Sequence, residues 1–160
     1  MSVEKVKKYL AQYGKDSAVT EFSVSSATVA LAAEALGVSP SRIAKTISFS
    51  NGSGGCTLIV AAGGAKIDNS KYKSRFGMKA TMLTPEEALR LTGHAVGGVC
   101  PFVIENPDVA VYTDLSLKRF DTIFPAAGSS NSAVELTCEE LFTISHSREW
   151  VDVCKGWQDE

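Results

Sequence analysis

Two segments of this chain carry residue types that could do chemistry. In Arg42-Ile43-Ala44-Lys45-Thr46-Ile47-Ser48-Phe49, Lys45 places an internal cation on an otherwise apolar, strand-like run. In His94-Ala95-Val96-Gly97-Gly98-Val99-Cys100-Pro101-Phe102, a glycine pair is followed by Val99, Cys100 and the rigid Pro101. Glycines let a backbone approach a ligand closely, and consecutive N–H groups form an anion-binding concavity. Proline fixes its own φ and stiffens such a loop. A fixed ammonium facing free N–H groups would hold a developing oxyanion. That is the chemistry of an ester or acyl hydrolase without a side-chain nucleophile.

Each feature also has a plainer reading. Ile43, Lys45 and Ile47 share the more apolar face of the strand, and lysines are rarely fully buried unless paired. An edge-strand lysine that snorkels to water would look the same. A Gly-x-x-Pro turn by itself is common between a helix and a strand. Ala126-Ala127-Gly128-Ser129-Ser130-Asn131 follows a strand and supplies either a second cleft wall or a simple hairpin turn. Cys100 and His94 would form a nucleophile pair only within hydrogen-bond reach, with a third group orienting the ring. Otherwise Cys100 is a structural thiol. Lys66, Lys71, Lys73, Arg75 and Lys79, with Tyr72 and Phe76 between them, form a basic stretch that could meet phosphates or simply face solvent. The two histidines, His94 and His146, and the cysteines Cys56, Cys100, Cys138 and Cys154 lack metal-ligand spacing. No nucleophile-elbow motif supports a Ser-His-Asp triad.

The elements that must position these residues follow from periodicity and caps. Val3, Val6, Leu10 and Tyr13 predict an amphipathic helix over 2–14, ended near Gly14. Thr20–Val24 alternates as a strand. Ser25 to Thr28 offer caps for a helix over Val29–Leu36, closed by Gly37, with Ala27, Ala30, Leu31 and Ala35 as its apolar face. Ile43–Phe49 and Cys56–Ala62 flank a glycine-rich hairpin turn. Asp68 caps a helix through Phe76, and Thr84-Pro85-Glu86-Glu87 opens another. Val109–Thr113, Thr122–Ala126, Ser132–Leu136 and Trp150–Cys154 read as strands, and Thr137–Ile144 as a capped helix. Hairpins and helices interleave without a regular βαβ rhythm. That predicts an α+β fold with a mixed, curved sheet flanked by helices, as a single domain over 1–160.

Composition sets the outer bounds. The chain has 160 residues, 44% hydrophobic and 21% charged, ordinary for a globular protein. A net charge of −2 requires any polyanion to be caught by a local patch. No apolar run is long enough to span a bilayer, the start lacks a secretory signal, and the cysteines read as reduced. A cytoplasmic protein with no membrane partner is the expectation.

Taken in order, Ser26 to Gly37, Arg42 to Thr46, Thr92 to Phe102, Val111-Tyr112-Thr113-Asp114 and the Ala127-Gly128 turn before Val134-Glu135-Leu136 resemble the YbaK/EbsC family of aminoacyl-tRNA deacylases. That family is related to the editing domain of bacterial prolyl-tRNA synthetases. The resemblance runs from about Thr20 to Leu141 and implies a barrel-like mixed sheet flanked by helices. It implies hydrolysis of a misacylated tRNA, usually tRNA for proline carrying cysteine, alanine or another small amino acid. It needs no cofactor, no metal and no protein nucleophile, a water or a substrate group attacking the carbonyl. Lys45 falls on the family's lysine, and Gly97 and Gly98 with Val99, Cys100 and Pro101 fall on its glycine–proline loop. Some relatives carry serine at the position of Cys100. Thr28, Gly128 and Ser129 are expected as pocket walls. The partners implied are the acceptor end of aminoacyl-tRNA and prolyl-tRNA synthetase, with the oligomeric state left open. A non-catalytic module that binds aminoacyl-tRNA or a synthetase is the alternative.

Overall fold

A computed structural model describes residues 3–23, 28–95 and 98–158. The chain runs α1 (Val3–Ala11), β1 (Val19–Glu21), α2 (Val29–Leu36), β2 (Ile43–Ser50), β3 (Cys56–Ala62), β4 (Lys66–Ile67), α3 (Asn69–Phe76) and α4 (Pro85–Thr92). It continues through β5 (Val109–Asp114), β6 (Thr122–Pro125), β7 (Ser132–Val134), β8 (Leu136–Thr137), α5 (Cys138–Ile144), β9 (Trp150–Val151) and β10 (Cys154–Lys155). Short 3₁₀ turns lie at Pro40–Arg42, between α2 and β2, and at Leu115–Arg119, between β5 and β6.

Six strands form one curled sheet in the order β8-β6-β2-β3-β5-β9. The β2–β3 and β6–β8 pairs are antiparallel, whereas β2–β6, β3–β5 and β5–β9 are parallel. Small ladders β1–β7 and β4–β10 complete the half-barrel. The fold is thus the α+β mixed sheet flanked by helices that the sequence predicts.

The β2–β3 hairpin is its spine. Asn51 Oδ1 accepts from Ser53 N–H at 2.8 Å and Gly55 N–H at 2.9 Å, so one side chain closes the turn. Every residue of β3 is buried, because neighbours cover both edges and both faces. Val6 and Leu10 of α1, Tyr72 of α3, Leu91 of α4 and Leu141 of α5 pack into the same core. Full burial of such side chains contributes roughly 1.5–3 kcal/mol each.

Caps fall where the side chains allow. Thr84 with Glu87 and Thr137 with Glu140 form reciprocal capping boxes, and Asp68 accepts from Ser70 and Lys71 N–H. Gly37, Gly77 and Gly93 end their helices in the left-handed region.

Four expectations need correction. The buried face of α2 is Ala32 and Ala33 with Val29 and Leu36, packed on Ile43, Phe124 and Ala133; Ala30, Leu31 and Ala35 face outward. The predicted Thr20–Val24 strand is Val19–Glu21, and Val24 lies outside the described residues. Ser132–Leu136 is two strands in two ladders, bent at Glu135, whose carboxylate takes the Thr122 hydroxyl at 2.6 Å. Trp150–Cys154 likewise splits, because Val153 N–H turns to Asp114 Oδ1 at 2.9 Å between β9 and β10. Among the described residues no helix is long and apolar enough to cross a membrane.

Candidate active site

Lys45 sits at the middle of β2, half-buried, opposite Ala61. Its ammonium donates to Gly63 O at 3.3 Å and to Ala65 O. Two of its three donors are therefore held by carbonyls of the bend that follows β3, which leaves a third. Burial lowers its pKa below 10.5, and the neighbouring Lys66 charge adds to that; the Cys154 thiol pulls the other way. The bend itself is tight. A Cβ on Gly63 would collide with the Pro40 carbonyl oxygen and with Val29 Cγ1, so only glycine lets this carbonyl reach Lys45.

Beside Lys45 opens a cavity of about 400 Å³. Thr28 at the cap of α2, Ala32 within it, Leu83 just before α4, Ala88 within it, Val99 and Ser129 bound it. Of the sequence-selected residues, the structure brings together Lys45, Thr28, Val99 and Ser129 on this one cavity. Thr28 caps α2, its Oγ1 accepting from Leu31 N–H at 3.2 Å. The Ser129 hydroxyl lies 2.8 Å from both Asn131 Oδ1 and Ser132 Oγ, which fixes the second wall.

The glycine loop packs against that wall. Gly98 is buried, and a Cβ there would stand 3.0 Å from Ser129 Cα, closer than side chains normally approach. Its N–H, however, donates to Ala95 O at 3.0 Å. Gly98 is therefore a spacer that seats one loop on the other, not an unoccupied oxyanion donor as expected from the sequence. Gly97 lies outside the described residues.

Cys100, Pro101 and Gly128 stand away from the cavity lining. Cys100 is fully buried, and burial pushes its thiol up to about 12 despite N–H groups of Phe102 and Gly128 facing it. His94 Nε2 is 3.5 Å from the sulfur, so the pair does meet. That same nitrogen donates to Phe102 O at 2.8 Å, and burial lowers the ring's pKa. The ring's acceptor nitrogen, Nδ1, stands 4.0 Å from the sulfur, at the outer limit of a contact, and a thiol this buried does not ionise near neutrality. Cys100 is a structural thiol. Gly128, at φ 97, turns the second loop behind it. Pro101 lines a separate groove with Tyr9 and Val103.

Among the described residues no group of histidine, cysteine, aspartate and glutamate has the arrangement to hold a metal ion. Among the described residues the cavity lining contains one charged side chain, Lys45, and no acid. An apolar recess with one fixed cation and hydroxyl-bearing walls suits a small acyl group whose side chain is uncharged.

Comparison with known proteins gives this curled half-barrel and its recess a family. The aminoacyl-tRNA editing domain matches residues 24–144, and the chain belongs to that family, the aminoacyl-tRNA deacylases of YbaK type. It is 55% identical over 158 residues to YwhH of Bacillus subtilis (strain 168), a protein without an assigned function, covering 99% of this chain and 100% of that one. It is 31% identical over 94 residues to the proline–tRNA ligase of Thermotoga maritima, covering 58% of this chain and 16% of the ligase. A crystal structure of a candidate trans-editing enzyme for prolyl-tRNA synthetase superposes with a TM-score of 0.85 at 28% identity, covering 98% and 99% of the two chains.

Sequence reasoning missed Gly63 and Ala65. The Gly63-Gly64 pair directly after β3 was the available signal for the first; Ala65 acts through its backbone, which residue type does not report.

Proposed function

We propose that this chain is a freestanding trans-editing hydrolase that removes a wrongly attached small amino acid, cysteine or alanine, from tRNA for proline. The observation that carries this reading is the half-buried Lys45 ammonium, pinned by two backbone carbonyls on the wall of a small apolar cavity. The terminal adenosine enters beside β2 with its ester carbonyl toward Lys45. Water adds to the carbonyl carbon; the carbon–oxygen bond to the ribose then breaks, and the ribose oxygen leaves with a proton while the amino acid departs as its carboxylate. The remaining Lys45 donor and the Gly97 backbone stabilise the oxyanion, where a water-poor site strengthens each contact. The cavity discriminates by size, and one methylene is worth only about 1–3 kcal/mol. Editing of this kind therefore tolerates a choice between cysteine and alanine that volume alone sets.

The test is release of radiolabelled amino acid from tRNA for proline charged separately with cysteine, alanine and proline. The wild-type protein should release one wrong amino acid and spare proline. Lys45→Ala should lower that rate by about 10²-fold or more. Cys100→Ser should retain it, because the thiol faces the core. An active Lys45→Ala variant overturns the assignment. No release, with acylated tRNA still bound, would make the chain a binding module instead.

A further inference from the structure

One edge of β2 is covered in two places and open between them. β6 pairs with it only at Ile43 and Ala44. Farther along, Ser50 N–H donates to Thr81 O at 2.8 Å and Ser48 O accepts from Leu83 N–H at 3.0 Å. Thr46 lies between these contacts. The N–H and C=O of a strand residue point to one edge, and successive residues alternate, so Thr46 is oriented like Ser48 and Ser50. The opposite strand agrees. Cys56 and Ala62, the partners of Ser50 and Ala44, send their N–H groups away from β2, to Asp108 O at 3.0 Å and Ser116 Oγ at 3.1 Å. The Thr46–Val60 pair has the same parity, so both backbone groups of Thr46 face the open stretch. That stretch is the cavity, which Lys45 and Ile47 border from one face of the strand and Thr46 and Ser48 from the other. No described residue pairs with these two groups, and Thr46 Oγ1 is also buried without a partner among the described residues.

An α-aminoacyl ester carries, in its ammonium, Cα and carbonyl, the backbone unit of one residue. With no acid among the described residues of the cavity wall, its ammonium is met there by a neutral acceptor. We infer that Thr46 holds the aminoacyl group as a one-residue strand partner, its N–H donating to the ester carbonyl oxygen and its C=O accepting from the α-ammonium. Two residues in a hydrogen-bonded antiparallel pair exchange the same two bonds, so the contact is strand addition reduced to its smallest unit. The N–H contact strengthens as the carbonyl oxygen gains charge in the tetrahedral intermediate. The C=O contact distinguishes an α-amino acid from a simple acyl group, whatever its side chain. This assignment rests on the deacylase reading above.

The experiment replaces Thr46 with its α-hydroxy counterpart, which deletes the N–H and keeps the side chain. Deacylation of alanyl-tRNA should fall by about 10²-fold, as when one oxyanion donor is removed. The melting temperature should fall only slightly, because no described residue pairs with that N–H and the ester weakens only the Lys45 carbonyl as an acceptor in the β2–β3 ladder. A second arm needs no variant: wild-type protein should hydrolyse propionyl-tRNA, which lacks the amine, about tenfold more slowly than alanyl-tRNA, the loss of a hydrogen bond to a charged group. A backbone-ester variant with the wild-type rate, or equal rates on the two substrates, overturns the assignment. Failure of the wild-type protein to deacylate alanyl-, cysteinyl- and prolyl-tRNA alike would instead overturn the deacylase reading on which it rests.

Discussion

Lys45 is a cation kept where cations are costly, and its environment fixes how pH should act on it. Burial lowers its folded pKa below the 10.5 of a free lysine, with Lys66 adding to the shift. Between the folded and unfolded values the unfolded chain binds more protons, so stability rises with pH through that window. Activity should do the opposite, because deprotonation removes the charge that the reaction uses. The alkaline limb of kcat/KM, corrected for spontaneous ester hydrolysis, should therefore lie below 10.5. Lys45→Arg should shift that limb to higher pH, since a guanidinium stays charged, while lowering the rate because its planar fork does not reproduce the two carbonyl contacts. An alkaline limb at the same pH in Lys45→Arg would assign the titration to another group. Cys100 is the counter-case at this scale: it touches a histidine, as a nucleophile would, yet burial keeps it neutral.

At the scale of elements, the site exists because bends allow backbones to touch. Gly63→Ala puts a methyl group into the Pro40 carbonyl and Val29, so the bend must move and withdraw the acceptors that hold Lys45. We expect a loss of about 1–3 kcal/mol, typical of overpacking, together with a larger fractional loss of deacylation than of folded protein. Calorimetry and turnover on one preparation would separate the two; full activity in a stable variant would show that the bend does not position Lys45. Elements with strong local signals were legible in the sequence: Cys56–Ala62 is a strand over those residues, and Asp68, Thr84 and Thr137 cap the helices they were expected to cap. The face of α2 was misread because Val-Ala-Leu-Ala-Ala-Glu-Ala-Leu has little polar contrast. Its one charge, Glu34, marks the outer side, and Val29, Ala32, Ala33 and Leu36 form an i, i+3, i+4, i+7 stripe. The grouping of Lys45 with Thr28, Val99 and Ser129 came from family resemblance rather than spacing, and it is tertiary packing that closes it. Gly98 shows what residue type leaves out, since the hydrogen bond of its N–H to Ala95 is a property of the folded turn.

For the molecule as a whole, the question is how a chain of net charge −2 holds a polyanion. The basic stretch seen in the sequence is divided by the fold. Lys71 pairs with Asp152 at 3.0 Å and Arg75 with Glu149 at 2.6 Å, so two of the five charges in the stretch are already matched by acids of the C-terminal segment. Lys66, Lys73 and Lys79 are exposed and have no acidic partner among the described residues. Lys66 stands out because it follows Ala65, whose carbonyl holds Lys45, and its charge is felt at that ammonium. A phosphate of the acceptor end passing Lys66 would leave the terminal ester at the cavity. Lys66→Ala should weaken tRNA binding and reduce the slope of log K against log salt by about 1, the signature of one lost phosphate contact. Lys71→Ala should change that slope less, because its charge is already compensated by Asp152. The same Lys66→Ala variant removes a like charge from beside Lys45, so the alkaline limb of its activity should move upward. A salt slope unchanged in Lys66→Ala, with the limb displaced, would mean that Lys66 tunes Lys45 without touching the nucleic acid.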